Sequence, residues 1–337
     1  MILSQGRLNR IDKKKLTLDT LCSNCSVHCT LVAQTLERDA TENSYLLEEN
    51  RIMERDWSHR EKRKHKPETS ETREHLFDAW NYAKRHFEGY VDFSFLLTLG
   101  QMIEPEKNPG GFRRTQALWG RDMVMTSPDK IERDLGVALR RINQSSIHPV
   151  ERGVLYHLHI ARVQPFNDGN KRLARLIQNA LLEYEGYGAT IIPVQERETY
   201  MKRIVTAVHG YRERESAGKM FDAWEMPLVA SKEEFDFLDY LAQKVSDTLD
   251  LRLSKAETFP GYEITLNPRI VVPTNVQGAA RRLNTVFKSR GDVGQVRVID
   301  QKEGIIGVYG NIGIETIQRS LDKVPTFRGR YSIKRVQ

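Results

Sequence analysis

The hydrophobic periodicity of the chain changes near residue 255, and this change constrains the fold more than any other feature. Before it, apolar residues recur at helical spacing, and residues 233–253 form a strongly amphipathic pattern. After it, short β-type runs surround one helical stretch at 276–287, and these runs are 263–266, 269–272, 295–299 and 305–309. The sequence therefore predicts a mainly α-helical body followed by a small α/β C-terminal domain.

The helical part is interrupted in two places, which suggests how it is divided. Residues 51–75 are dense in charge and contain Pro67, which predicts a solvated helix end or a linker. Pro105 and residues 109–111 predict a turn, and the loosely alternating residues 113–126 predict a β-hairpin. We divide the chain into an N-terminal helical segment, a helical core and a basic α/β domain, at residues 1–75, 76–230 and 231–337.

Composition excludes a membrane-spanning chain and a disulfide scaffold. The chain has 337 residues, of which 39% are hydrophobic, and no apolar run reaches the roughly 18 residues of a membrane span. The N-terminus lacks the apolar stretch of a secretory signal, which leaves open a secretion route without a cleaved signal, and the few cysteines favour a cytoplasmic setting. Cys22, Cys25 and Cys29 predict small buried residues on one helix face in a reducing compartment. A zinc site at 22–29 is the alternative, but the sequence has no second cysteine pair to complete it.

The net charge of +7 is confined to the C-terminal part of the sequence. Residues 261–337 contain 13 Lys or Arg against 6 Asp or Glu, whereas the first 260 residues are balanced. A basic domain beside a neutral body suggests an acidic partner or a nucleic acid at 261–337. The alternative is a basic surface that has no partner.

One loop and the helix after it carry the chemistry of the sequence. Residues 164–169 combine Pro, Asn, Asp and Gly and lead directly into a helical pattern. The apolar residues of that pattern share one face, and they are Leu173, Leu176, Ile177, Ala180, Leu181 and Tyr184. Arg172 and Arg175 fall on the opposite face, and glycines at 186 and 188 end the helix.

This arrangement predicts a polyphosphate site. A helix N-terminus presents backbone N–H groups, and Gly169 allows a ligand to approach them closely. Arg172 and Arg175 offer planar donors for phosphate oxygens, and Asp168 is a carboxylate that can hold a magnesium ion. The alternative is an ordinary capped helix with a solvated basic face.

The loop and helix resemble the motif of the Fic (Fido-domain) family, His-Pro-Phe-x-Asp/Glu-Gly-Asn-Gly-Arg-x-x-Arg. The matching residues are Pro165, Phe166, Asp168, Gly169, Asn170, Arg172 and Arg175. Two positions depart from the motif: Gln164 stands where the family has its His, and Lys171 stands where it usually has Gly. The resemblance implies a Fic-type helical core with a β-hairpin flap.

Two further stretches extend the resemblance to about residues 30–220. Residues 44–50 resemble the family's inhibitory helix, Ser/Thr-x-x-x-Glu-Gly/Asn, with Ser44 and Glu48 matching and Glu49 departing. The resemblance implies an N-terminally inhibited class in which Glu48 reaches Arg175. Residues 111–114 resemble the Gly-x-Phe/Tyr-Arg that precedes the family's flap, and Arg113 and Arg114 lie there.

The family resemblance implies transfer of AMP from ATP to a Tyr, Thr or Ser hydroxyl of a target protein. It implies that Asp168 holds magnesium and that phosphates bind at Gly169, Asn170, Lys171, Arg172 and Arg175. Gln164 occupies the position of the base, and a carboxamide accepts no proton near neutral pH, so we expect impaired catalysis. His157 and His159 are expected to be satisfied helix histidines rather than substitute bases.

Two alternatives to this transferase remain open at the level of sequence. The chain could be a non-catalytic Fic-fold ATP-binding regulatory module whose basic tail binds nucleic acid or an acidic partner. Lys171 instead resembles the death-on-curing branch of the family, which transfers a terminal phosphoryl group.

Overall fold

The structure is a computed structural model of the 337-residue chain. It describes residues 2–24, 26–48, 70–119, 123–144, 146–216, 228–229, 231–258, 261–290, 294–310 and 313–335. The charge-dense stretch 51–69, and with it most of the predicted linker, lies outside these residues.

The chain divides into two compact units. The first comprises residues 1–15 and 37–249, and the second comprises residues 16–36 and 250–337. This grouping assigns residues 231–249 to the first unit. The three-part division of the sequence stays a prediction.

Most of the first unit is helical. Its helices, three of which continue into the second unit, are α1 (Gln5–Asn24), α2 (Ser26–Leu46), α3 (Ser70–His86), α4 (Phe93–Ile103), α5 (Ile131–Gln144), α6 (Pro149–Val163), α7 (Asn170–Tyr184), α8 (Arg197–Ser216) and α9 (Lys232–Thr258). A short antiparallel hairpin of β1 (Leu118–Trp119) and β2 (Met123–Val124) confirms the predicted hairpin. Its residues 120–122 lie outside the described residues.

Helix α6 is the core of the first unit. Its residues from Val150 to Val163 are buried except Arg152, and the buried set includes four polar or charged side chains, Glu151, His157, His159 and Arg162. Helix α7 is also buried from Asn170 to Leu182, apart from Lys171, and packs against α6. The loop 164–169 therefore connects the ends of two buried helices, which fixes its position.

The second unit contains a βαββαβ arrangement. Its elements are β3 (Gly261–Leu266), α10 (Pro273–Arg290), β4 (Gly294–Asp300), β5 (Ile305–Gly310), α11 (Ile314–Asp322) and β6 (Tyr331–Arg335). The antiparallel sheet has the order β4-β5-β3-β6, which is the ferredoxin-like topology. Ile264 pairs with Ile306 and with Ile333, and this row joins Leu283 and Ile317 in the core.

The structure confirms most of the predicted C-terminal elements and corrects one. The stretch 269–272 was expected to be a strand, but Pro268–Ile270 is a 3-10 helix. Pro268 sets the first helical φ, and the Asn267 side chain accepts a hydrogen bond from the Arg269 N–H, which favours a turn over extended backbone.

The expectation of reduced cysteines on one helix face is wrong for two of the three. Cys22 lies on α1 and Cys29 on α2, and the two form a disulfide with Cα atoms 5.4 Å apart. The two bonded cysteines thus belong to different helices, and Cys25 lies outside the described residues. The cytoplasmic setting stays a prediction. Among the described residues, no helix combines the length and apolarity that crossing a membrane requires.

Candidate functional site

The loop 164–169 has a backbone that its sequence makes possible. Gln164 ends α6 in the left-handed region, with φ at +49°, and its N–H donates to the Ile160 carbonyl. Gly169 precedes α7 with φ at +78°, and a Cβ there would lie 2.9 Å from Cγ2 of Ile103. Only glycine fits this position without strain. Its missing side chain lets Ile103 pack closely against the N-terminus of α7.

Phe166 holds the loop in the core. Its ring is 1% exposed and lies over Gly100 on α4, where a Cβ would come within 2.3 Å of the ring. The Asn170 side chain bonds both polar groups of the Phe166 backbone: Oδ1 accepts from the N–H at 2.9 Å, and Nδ2 donates to the carbonyl at 2.8 Å. The packing of the Phe166 ring on α4 and the two hydrogen bonds of Asn170 together fix the position of the loop.

Arg113 joins the predicted flap to the loop. Its buried guanidinium donates to the carbonyls of Gln164 at 2.7 Å and Thr115 at 2.8 Å, and also to the Thr126 carbonyl. Burial lowers the pKa of Arg113, as does the charge of Arg212. Arg113 is thus a structural brace, whereas its neighbour Arg114 is exposed.

Arg175 lies at the centre of a buried cluster on α7. Its Nε donates to the Ser44 hydroxyl at 2.8 Å, and its Nη2 donates to the Ser44 carbonyl at 2.9 Å. The same Nη2 donates to Glu48 Oε1 at 2.8 Å, and Nη1 donates to the Tyr200 hydroxyl at 3.1 Å. The two residues named from the inhibitory-helix resemblance therefore contact the second arginine of the motif.

Glu48 is held by two cations. Its Oε1 pairs with Arg175 and its Oε2 lies 3.1 Å from the Lys171 ammonium. Burial would raise the pKa of Glu48, but the charges of Lys171, Arg175 and Arg172 lower it to about 2. The carboxylate is ionised at neutral pH and fills the space beside the α7 N-terminus. Glu49 and Asn50, the rest of this motif, lie outside the described residues.

A hydrogen-bond chain behind Arg175 was missed by the sequence analysis. The Tyr200 hydroxyl from α8 accepts from Arg175 and contacts Nε2 of His157 at 3.0 Å, while Nδ1 of His157 contacts Gln178 Oε1 at 2.7 Å. Burial lowers the pKa of His157 to about 3, so the ring stays neutral. Its two nitrogens are engaged, which matches the expected satisfied histidine. Tyr200 lies 25 residues from Arg175, and no periodicity links the two.

Asp168 was predicted to hold magnesium, and its two oxygens are already occupied. Oδ2 accepts a hydrogen bond from the Lys107 ammonium, and Oδ1 accepts from the Gly169 N–H at 2.6 Å and lies 3.6 Å from Arg172. Burial would raise the pKa of Asp168, but the hydrogen bond and charge of Lys107 bring it below its usual value. Among the described residues, no three His, Cys, Asp or Glu side chains converge on a metal position.

Arg172 lies between two carboxylates, those of Asp168 and Glu104. It is 3% exposed and bonds Glu104 at the end of α4. The charged residues around the loop therefore form two groups of ion pairs. One group consists of Asp168, Glu104, Lys107 and Arg172, and the other consists of Lys171, Arg175 and Glu48. Within the part of the chain that the structure describes, the Gln164 side chain makes no hydrogen bond to either group.

Residues 90–182 match the model of the Fic/DOC family. The protein adenylyltransferase Fic of the sea anemone Nematostella vectensis is 34% identical over 104 residues, which cover 30% of this chain and 24% of that protein. The protein of the same name from Drosophila mojavensis is 31% identical over 131 residues, which cover 36% of this chain and 25% of that protein. The chain thus spans about a quarter of the length of these curated relatives.

Solved structures share the fold over a larger part of the chain. A Fic domain-containing signalling protein from Bacteroides thetaiotaomicron has a TM-score of 0.57 at 19% identity and covers 74% of this chain and 97% of that chain. Fic-1 from Caenorhabditis elegans has a TM-score of 0.51 at 17% identity, and the match covers 75% of this chain and 73% of that chain. The mainly helical Fic-type fold expected from the sequence is confirmed.

Proposed function

We propose that the first unit is a protein adenylyltransferase that binds ATP at the N-terminus of α7. One observation carries the proposal: the anion-binding groups of Arg175 and Lys171 converge on the carboxylate of Glu48, within a segment that matches the Fic family. A site that holds one carboxylate between two cations beside a helix N-terminus is suited to phosphate oxygens. The curated relatives named protein adenylyltransferase support the same reaction.

In the proposed reaction a target hydroxyl oxygen attacks the α-phosphorus of ATP. The bond between the α-phosphorus and the bridging oxygen to the β-phosphate breaks, and pyrophosphate leaves. The backbone N–H groups at Gly169, Asn170 and Lys171 face the phosphates, while Arg172 and Arg175 hold the β- and γ-phosphates. These roles are assigned by the family motif on matching residues, and they remain part of the proposal.

The hydroxyl proton is the weak point of this reaction. Gln164 replaces the motif base, and its carboxamide can orient a hydroxyl but cannot accept a proton. The proton must pass to solvent, and loss of general-base help typically lowers the rate by about 10²–10⁴-fold. We therefore propose a slow transferase.

Magnesium could bind at Asp168 only if the Lys107 side chain moved away from that carboxylate. Asp168 is the side chain that would hold the ion beside the phosphates, but the Lys107 ammonium occupies it. As they stand, the residues present do not fit a divalent cation, because Mg²⁺ demands open oxygen ligands at about 2.0–2.1 Å.

We propose that Glu48 inhibits the site by occupying the position of the γ-phosphate. Replacing it with glycine should let Arg175 and Lys171 contact ATP. Isothermal titration calorimetry should find that Glu48→Gly binds ATP at least about tenfold more tightly than the parent, since each charge-assisted contact is worth about 1.5–3 kcal/mol. Glu37→Gln is the control, because Glu37 on α2 pairs with Lys84 on α3 and takes no part in the ion pairs of Arg175 and Lys171. Equal affinity in the parent and Glu48→Gly would contradict the inhibition.

Transfer is tested with ATP labelled at the α- or the γ-phosphate. We expect the variant Glu48→Gly with Gln164→His to label protein from α-labelled ATP about 10²–10⁴-fold faster than Glu48→Gly alone. No label should come from the γ-phosphate. Transfer of the γ-label would identify the death-on-curing type of phosphotransfer instead. ATP binding without transfer in either variant would support a non-catalytic regulatory module.

We also propose that the second unit binds an acidic partner. Exposed basic side chains lie along its α11 end and on β6, and they are Arg319, Lys323, Arg328, Arg330, Lys334 and Arg335. Fluorescence anisotropy of the full chain with labelled single-stranded RNA and with a poly-glutamate peptide should show binding to one of them that weakens steeply with salt. Arg328→Gln with Arg330→Gln should weaken it, and no salt-sensitive binding to either probe would contradict the proposal.

A further inference from the structure

A lysine ammonium stands beside the carboxylate where the family resemblance expects a metal ion. Lys107 Nζ donates a hydrogen bond to Asp168 Oδ2 and lies 3.4 Å from Glu104 Oε2. One cation thus bridges two carboxylates, one from the loop and one from the end of α4. A bound divalent cation would neutralise the same two groups.

The backbone of Lys107 is fixed against the loop, so this contact is built into the fold. The Asn167 side chain donates to the Lys107 carbonyl at 2.8 Å. Its neighbour Asn108 is 2% exposed and donates to the carbonyls of Gly100 at 2.9 Å and Asp168 at 3.0 Å. Together these bonds hold residues 107 and 108 to both α4 and the loop, within reach of Asp168.

The charge of the site suits a triphosphate that carries no metal. Once Glu48 is withdrawn, four cations face two carboxylates, and these residues are Lys107, Lys171, Arg172, Arg175, Glu104 and Asp168. The net positive charge favours the highly anionic free nucleotide. Lys171, which replaces the motif glycine, adds a further ammonium in the first turn of α7, where it pairs with Glu48.

We propose that the Lys107 ammonium takes the place of the divalent cation beside Asp168, so that this site binds nucleoside triphosphate without Mg²⁺. The inference rests on the proposed nucleotide site and deepens it. Lys107 is the counter-cation of the bound phosphates, and Asp168 and Glu104 position it.

The experiment is calorimetric titration of ATP in the Glu48→Gly background, with excess EDTA and with excess Mg²⁺. We expect the dissociation constants in the two buffers to agree within about threefold. Adding Lys107→Met should weaken binding in EDTA at least about tenfold, the equivalent of one charge-assisted contact, with recovery in Mg²⁺. Lys202→Met is the control, because Lys202 is an exposed lysine on α8 away from the loop.

Two results would overturn the inference. One is a loss of at least tenfold in EDTA by the Glu48→Gly parent itself, and the other is equal binding by Lys107→Met in both buffers. Lys107→Gln gives a second reading if Lys107→Met does not fold. If the Glu48→Gly parent binds no ATP in either buffer, the nucleotide site itself is wrong, and the inference is wrong with it.

Discussion

Tyr200 is the residue that connects the charged site to the buried core. Its hydroxyl accepts from Arg175 Nη1 and, because the Gln178 oxygen only accepts, it donates to the unprotonated Nε2 of His157. Burial raises the pKa of Tyr200 to about 12, so the hydroxyl keeps its proton. Removing this hydroxyl leaves a buried guanidinium N–H and a buried ring nitrogen each short of one partner.

Tyr200→Phe should therefore destabilise the first unit by about 1–3 kcal/mol, the cost of unsatisfied buried polar groups. Tryptophan fluorescence during urea unfolding reports this unit, because the four tryptophans lie between residues 57 and 224. Tyr82→Phe is the control, since Tyr82 on α3 contacts His86 and Phe95 through its ring, which phenylalanine keeps. It should change the stability by less than about 0.5 kcal/mol. A Tyr200→Phe protein as stable as Tyr82→Phe would contradict the role assigned to this hydroxyl.

Among the elements, helix α4 shows how much the position of the loop depends on close packing. Gly100 has no Cβ, and this absence makes room for the Phe166 ring. Gly100→Ala would place a methyl group 2.3 Å from that ring, so Phe166 or the helix must shift. Overpacking of this kind costs about 1–3 kcal/mol.

We expect Gly100→Ala to lower the urea midpoint of the tryptophan transition and to weaken ATP binding in the Glu48→Gly background, because Phe166 anchors the loop. Gly153→Ala on α6 is the matched control. It is also a buried helical glycine, but its new Cβ would meet Gln178 at an ordinary 3.5 Å. Helix propensity alone predicts a gain of up to about 1 kcal/mol there. Equal effects of the two substitutions would argue against packing as the cause.

The sequence predicted elements where a period or a motif was strong, and it failed where single contacts decide. Amphipathic spacing predicted helices α7, α9 and α10, and alternation predicted strands β3 to β5. Strand β6 was missed, because it has only five residues and pairs with β3, which lies 65 to 73 residues earlier. The stretch 269–272 was assigned wrongly, because a local Asn267 hydrogen bond outweighs the β-propensity of its apolar residues.

The candidate site was predictable only in part for a similar reason. The motif named Ser44, Glu48 and Arg175, and the structure brings these three together. Lys107 and Tyr200 lie outside any motif, and they reach the site through tertiary contacts across 61 and 25 residues. The spacing of residues in the sequence does not predict such contacts.

At the scale of the whole molecule, the family relationship and the chain have different extents. The family model covers residues 90–182, which hold the loop, α6 and most of α7. Ser44 and Glu48, the residues of the proposed inhibitory contact, precede it, and the ferredoxin-like unit follows it. The two departures from the motif, Gln164 and Lys171, lie inside the matched segment, whereas the proposed inhibitory contact and the ferredoxin-like unit lie outside it.

Acid should destabilise the first unit in two overlapping pH windows, from 6.5 to about 3 for His157 and from 4.5 to about 2 for Glu48. His157 has a folded pKa of about 3 and an ordinary value of 6.5, so below pH 6.5 the unfolded chain takes up a proton that the folded chain does not. Glu48 has a folded pKa of about 2 and an ordinary value of 4.5, so its ionised form stabilises the fold above pH 4.5 and this contribution is lost as the pH falls toward 2. Both contributions lower stability on acidification.

Glu48→Gln separates the two windows, because it removes the lower one and leaves His157 in place. The tryptophan unfolding transition should show a parent that is more stable than Glu48→Gln by a constant amount between pH 7 and 4.5. Below that, the difference should shrink by about 3 kcal/mol as the pH approaches 2, since one pKa unit corresponds to about 1.4 kcal/mol. Both proteins should lose stability between pH 6.5 and 4.5 in parallel, because that loss belongs to His157. A difference between parent and variant that stays constant down to pH 2.5 would mean that Glu48 is not held by Arg175 and Lys171 in solution.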